Sequence, residues 1–193
     1  MSEPSTPGFI EALQSVAETL AALPSPSMVI GGVAVIACGV PRSTVDIDAT
    51  VRIDEIDLET LVRACRAHDL EPRIPEALAF AHTNQVYLAV HRPSAVPIDI
   101  SLAWLPFEHE ALEYSTVAHY GSVRIRIPRP EDLLIYKLVA SRPRDLDDAE
   151  QLLLLHRGTM DLVRVRRILS DFCETLEDES RMTTLERLLQ RTA

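Results

Sequence analysis

Apolar side chains recur at helical spacing near the start of the chain. Phe9, Ile10, Leu13, Val16, Leu20 and Leu23 fall close to a 3.6-residue period and predict an amphipathic helix over Phe9–Leu23. The Pro24-Ser25-Pro26-Ser27 turn ends it. Met28–Ile30 reads as a short buried strand running into Gly31-Gly32, whereas Val33–Cys38 is apolar throughout, so periodicity leaves helix and strand both open. Loose alternation predicts a strand over Asp46–Ile53. Leu58, Leu61, Val62 and Cys65 share one face of a predicted helix from Asp57, a candidate cap, to His68. Gln85–Val90 and Val96–Leu102 read as strands joined by a hairpin-like Arg92-Pro93-Ser94. Val123, Ile125 and Ile127 alternate with Ser122, Arg124 and Arg126 in a half-buried strand. Beyond Pro130 the pattern turns helical, over Glu131–Ser141, Asp145–His156, Asp161–Thr175 and Met182–Arg191. The sum is an α+β fold: a small mixed sheet flanked by helices over residues 1–128, with a C-terminal helical portion over 129–193 packed on it as one unit.

Composition narrows the function classes. The 193 residues are 47% apolar and 25% charged, which is globular. A net charge of −10 argues against general DNA binding, which needs a basic surface to displace counterions. The longest nearly apolar stretch, Met28–Val40, carries three glycines and is too short for a membrane span, and Met1–Pro7 has neither the basic start nor the apolar core of a signal peptide. Cys38, Cys65 and Cys173 form no Cys-x-x-Cys pair and fit reduced thiols in a cytoplasmic protein. The six histidines show no zinc-ligand spacing, and neither a Gly-x-Ser-x-Gly elbow nor a Walker A motif occurs.

Chemistry concentrates at Asp46-Ile47-Asp48. On a strand, residues i and i+2 project from one face, so both carboxylates point together. Such a pair is costly unless a cation lies between them, and a hard ion such as Mg²⁺ takes oxygen ligands. On a surface strand the same pattern is simply solvated charge. Asp99 lies between Ile98 and Ile100 in a strand, where Asp is disfavoured. If that strand pairs beside the first, three carboxylates converge, enough to hold two Mg²⁺ ions for phosphoryl transfer; an edge-strand Asp facing water is the other reading. Gly31-Gly32 lets backbone N–H groups approach phosphate, or else makes a tight turn.

These residues resemble a known family. Gly31-Gly32, then Pro41-Arg42-Ser43-Thr44-Val45-Asp46-Ile47-Asp48, then Ile98-Asp99-Ile100 are similar to the minimal polymerase-β-type nucleotidyltransferase core. Pro130–Leu138 and Arg142–Asp148 resemble the AbiEii/MenT-like branch of nucleotidyltransferase toxins, and the likeness spans roughly Val29 to Leu155. It implies that Asp46, Asp48 and Asp99 bind metal and that Asp99 also activates the acceptor hydroxyl. It further implies that Gly31 and Gly32 hold the triphosphate, that Lys137 reaches the nucleotide phosphates, and that Asp145 is the acid of the last motif. Gly32 stands where the general motif has serine, so one hydroxyl contact is lost. The implied activity is transfer of a nucleoside monophosphate from an NTP, with ATP-binding among its expectations, to the 3′ end of tRNA or to a protein. A cognate antitoxin is an implied partner, and other branches modify antibiotics.

The residues also carry plainer readings. Lys137 on an apolar helix face can snorkel to water, and Asp145 can serve the first turn of a helix. Arg42 either meets a phosphate or neutralises the acids. Trp104 is expected in the core. Arg124, Arg126 and Arg129, and Arg164, Arg166 and Arg167, read as solvated faces and as the only places where RNA could be drawn to so acidic a chain. A non-catalytic interaction protein on the same fold is the rival reading.

Overall fold

The computed structural model describes residues 7–53 and 57–192. They divide into two units, one holding everything before Arg129 except Cys38–Val40, the other holding Cys38–Val40 and the chain from Arg129 on. In the first unit, α1 (Pro7–Ala22) leads to β1 (Ser27–Ile30), which turns at Gly31 into α2 (Gly31–Ala37), deciding for helix where periodicity left the choice open. Then follow β2 (Ile47–Arg52), α3 (Leu58–Ala67), β3 (Leu70–Pro72), α4 (Ala77–Asn84), β4 (Val86–His91), β5 (Pro97–Ala103), α5 (Pro106–Glu113), β6 (Thr116–Tyr120) and β7 (Val123–Ile127). Asp57 caps α3 as expected, its carboxylate accepting from the Thr60 amide at 2.6 Å.

Five strands form a mixed sheet in the order β1-β2-β5-β4-β3, and β6 and β7 form a separate hairpin. β2 and β5 run parallel, a pairing that requires a crossover, and α3, β3, α4 and β4 supply it. One sheet face is sealed: Ile47, Ala49, Val51, Ile98, Ile100, Leu102, Tyr87 and Ala89 are all buried. The buried His91 on that face meets Ser15 of α1 at 3.3 Å and Ser94 of the following turn at 2.7 Å. Asp48 and Asp99, among the alternate residues, lie on the opposite face and are half-buried.

The second unit carries α6 (Pro130–Ala140), α7 (Pro143–His156), α8 (Leu162–Leu176) and α9 (Ser180–Arg191). α6 packs against the other three, burying Leu133, Leu134, Ile135 and Leu138. Asp132, fully buried, pairs with Arg129 at 2.9 Å and with the buried Arg164.

Two expectations fail here. Trp104 is 63% exposed, because β5 ends at Ala103 and the tryptophan lies on the short link to α5. Arg164 is no part of a solvated face, since Asp132 draws it inward. Among the described residues no helix is long and apolar enough to cross a membrane.

Candidate active site

Sheet register places the acids. Asp48 on β2 stands directly beside Asp99 on β5, and Leu88 on β4 follows in the same row. Side chains in one row of a sheet share a face, so Asp48 and Asp99 face the same way from neighbouring strands. Asp46 departs from the expected geometry. The strand begins at Ile47, and Asp46 sits in the bend before it, exposed, with Thr44 Oγ1 donating to its Oδ1 at 2.8 Å. The i, i+2 argument therefore holds for Asp48 alone, and a threonine rather than the strand orients Asp46.

The glycine pair is explained by what crowds it. Gly31 has φ +61°, and a Cβ there would fall 1.9 Å from Asp48 Oδ2. The missing side chain is the space that the Asp48 carboxylate uses. A Cβ on Gly32 would lie 2.6 Å from Thr44 Oγ1 and 3.2 Å from an Arg42 guanidinium nitrogen. A serine side chain would collide with Thr44, so the departure from the general motif has a steric cause, and Thr44 itself returns a hydroxyl beside Gly32. Gly31, Gly32, Arg42, Thr44, Asp46 and Asp48 are thus one cluster around the β1–α2 turn.

Two residues that the sequence reading did not single out belong here, Thr44 and Arg73. Arg73 Nη2 binds Asp99 Oδ1 at 2.7 Å, with the two side chains 34% and 42% exposed. Its amide donates to Leu88 O at 3.0 Å, so Arg73 extends the β3–β4 ladder into the row of the acids. Spacing of charged residues along the chain offers no hint of this.

Lys137 and Asp145, in the second unit, also come together. Lys137 is buried and does not snorkel; its Nζ donates to Asp145 at 3.0 Å and pairs with Asp148 at 2.8 Å. Asp145 is likewise buried and bound to this lysine, not capping α7, whose N-cap is Arg142 with no side-chain bond. Its Oδ2 has no hydrogen-bond partner, the Arg142 guanidinium standing off at 3.8 Å.

The oxygen donors of Asp48 and Asp99, adjacent on one sheet face, suit a hard divalent ion. Yet among the described residues no three carboxylates, imidazoles or thiols are drawn close enough to enclose a metal. Two of the acids are engaged elsewhere, Asp46 by Thr44 and Asp99 by Arg73. A groove of about 410 Å³ between α1, β1 and the β6–β7 hairpin contains none of these acids.

Comparison with known proteins agrees on the fold. Residues 102–192 match the family described as "Nucleotidyltransferase of unknown function (DUF6036)", a stretch that includes Lys137 and Asp145 but stops short of Asp99. The solution structure of the antibiotic-resistance factor ANT(2'')-Ia is similar at 16% identity, covering 94% of this chain and 96% of that one, with a TM-score of 0.58. ANT(2'')-Ia in complex with adenylyl-2''-tobramycin covers 98% of this chain and 100% of its own at 14% identity and TM-score 0.51. An antigenic nucleotidyltransferase-like protein from Paracoccidioides brasiliensis covers 92% of both chains at 16% identity and TM-score 0.52. A search of the curated proteins finds no match. The fold is that of nucleotidyltransferases.

Proposed function

We propose that the protein is a metal-dependent nucleotidyltransferase that moves a nucleoside monophosphate from an NTP to an acceptor hydroxyl. The observation that carries this reading is the in-register Asp48–Asp99 pair, with Gly31 left bare to receive the Asp48 carboxylate. Asp46, Asp48 and Asp99 would hold Mg²⁺, two ions in the full arrangement, which when bound neutralise charge on the transferred phosphoryl group. Asp99 would also take the acceptor's proton. Backbone N–H groups at Gly31-Gly32, with Arg42 and the Thr44 hydroxyl beside them, form the phosphate-facing side of the cluster. Lys137 and Asp145, in the second unit, are joined by a buried ion pair.

For the acceptor, the likeness of the 130–148 segment to nucleotidyltransferase toxins favours a tRNA 3′ end or a protein, with an antitoxin as partner and the cytoplasm as the place of action. A second reading has its own support: two of the similar structures are ANT(2'')-Ia, one holding an adenylylated aminoglycoside, which favours a small-molecule acceptor.

Incubation with each α-labelled NTP and Mg²⁺, offered total RNA, lysate protein and an aminoglycoside panel in turn, separates these readings. Label in one acceptor fraction, abolished in Asp48→Ala, is the expected result. No transfer from any NTP to any fraction, with no thermal shift on adding NTP and Mg²⁺, would leave the non-catalytic interaction protein standing.

A further inference from the structure

Arg73 pairs with Asp99 across the sheet. It follows β3, and β4 lies between it and the aspartate. Neighbouring strands are about 4.8 Å apart, so the guanidinium crosses roughly two strand spacings to make its 2.7 Å contact. The intervening residue in the row is Leu88, half-buried, whose apolar surface lets the arginine stem lie across it. The pair itself is accessible to water on both sides, and such pairs hold weakly. A long, weakly held guanidinium on an acid that is a candidate metal ligand is a group that can leave. Guanidinium geometry matches phosphate oxygens through two parallel hydrogen bonds, a match that lysine lacks.

We infer that Arg73 is an exchangeable counter-charge of the site, bound to Asp99 in the unloaded protein and transferred to the phosphates of the incoming NTP when a divalent ion takes its place. The inference rests on the proposed nucleotidyltransferase function. It assigns Arg73 two opposed effects: competition with the metal for Asp99 and attraction of the nucleotide.

A purely structural ion pair would not produce effects of opposite sign, and this decides the experiment. Binding of Mn²⁺ alone, and of the α,β-methylene analogues of the four NTPs with Mg²⁺, is measured by calorimetry on wild type, Arg73→Ala and Arg73→Lys. In Arg73→Ala, Mn²⁺ binds about 2- to 5-fold more tightly, the equivalent of removing one weak exposed pair. The analogue binds about tenfold or more weakly, as expected for loss of a charge-assisted contact. Arg73→Lys keeps Mn²⁺ affinity near wild type and recovers only part of the nucleotide affinity. Unchanged or weaker Mn²⁺ binding in Arg73→Ala, or unchanged analogue binding, overturns the inference and leaves the proposed function intact. Failure of the wild type to bind any analogue sinks both. Should Arg73→Ala melt well below wild type, Arg73→Gln serves for the same pair of measurements.

Discussion

At the scale of single residues, the site depends on side chains that are missing as much as on those present. Gly31 combines a left-handed φ of +61° with an absent Cβ whose place lies 1.9 Å from Asp48 Oδ2. Gly31→Ala meets both obstacles. The backbone conformation alone costs about 1–2 kcal/mol, which thermal unfolding would register as a modest loss. The displaced Asp48 carboxylate costs more in function, so nucleotidyl transfer falls by about 100-fold, the penalty of misplacing a reacting group by an ångström. A variant that loses stability but keeps full transfer would show that Asp48 does not need its present position. Thr44 acts beside it through the 2.8 Å bond to Asp46. Thr44→Val, which keeps the shape and removes the hydroxyl, is expected to weaken Mn²⁺ binding while leaving the melting temperature almost unmoved, since the pair is exposed.

At the scale of elements, long periodic segments were readable and short ones were not. α1, α3 and the C-terminal helices bury the faces that their spacing predicts, and the β4–β5 hairpin turns at Arg92–Ser94. β3, α4, α5 and β6 escaped because their patterns are too short or too weak. β3 is three residues including a proline; α4 buries only Ala77 and Ala81; β6 leaves Thr116, Val117 and His119 exposed. The same shortness hid Arg73, whose role depends on β3 closing the sheet edge beside β4. Asp48 and Asp99 were legible because each breaks an apolar strand, whereas the burial of Lys137 was not, because a lysine on an apolar helix face predicts snorkelling equally well. Its environment now yields a distinct expectation. Lys137→Met removes the buried cation that Asp145 and Asp148 share, a loss of about 3 kcal/mol measurable by urea unfolding. If Lys137 instead served only to touch nucleotide phosphates, the variant would unfold like wild type and lose nucleotide affinity alone. α1 and the hairpin give a pH-dependent element. Burial holds the His91 imidazole below its usual pKa, with Asp69 and Glu11 opposing the shift and Ser15 and Ser94 as hydrogen-bond partners. The neutral ring is therefore favoured by folding. Its contribution is complete above about 6.5, the ordinary histidine value, and declines as pH falls through that value toward the folded pKa, because the unfolded chain takes up the proton first. His91→Gln should flatten the decline in melting temperature between pH 7 and 5.

At the scale of the whole molecule, the net charge of −10 and the fate of the arginines jointly constrain the acceptor. The two arginine clusters that could have drawn RNA are largely committed to the protein. Arg126 donates to Ser115, Arg129 and Arg164 hold Asp132, Arg166 binds Glu186 at 2.7 Å, and Arg167 lies 3.7 Å from Asp171. Arg124 projects outward from β7. A protein that neutralises Z phosphates loses affinity with a log–log salt slope of about −0.7Z to −0.9Z. With the net charge at −10 and most arginines of these two clusters paired within the protein, tRNA binding should show a slope no steeper than about −3 between 50 and 200 mM salt. Fluorescence anisotropy with end-labelled tRNA measures it. If tRNA is the acceptor, contact is then confined to the RNA end. Loading with Mg²⁺ and an NTP analogue should raise tRNA affinity if a 3′ end is the acceptor, because bound metal cancels part of the carboxylate charge that otherwise repels it. Unloaded protein that binds tRNA with a slope near −8 would instead reveal a basic surface that the committed arginines do not provide. A cationic small acceptor makes a different prediction. A cation is attracted to an acidic site, so its apparent affinity should fall as salt rises even though no RNA binds. Loading therefore distinguishes the acceptors: bound metal raises affinity for an RNA end and, by cancelling the carboxylate charge that attracts it, lowers affinity for a cationic small molecule.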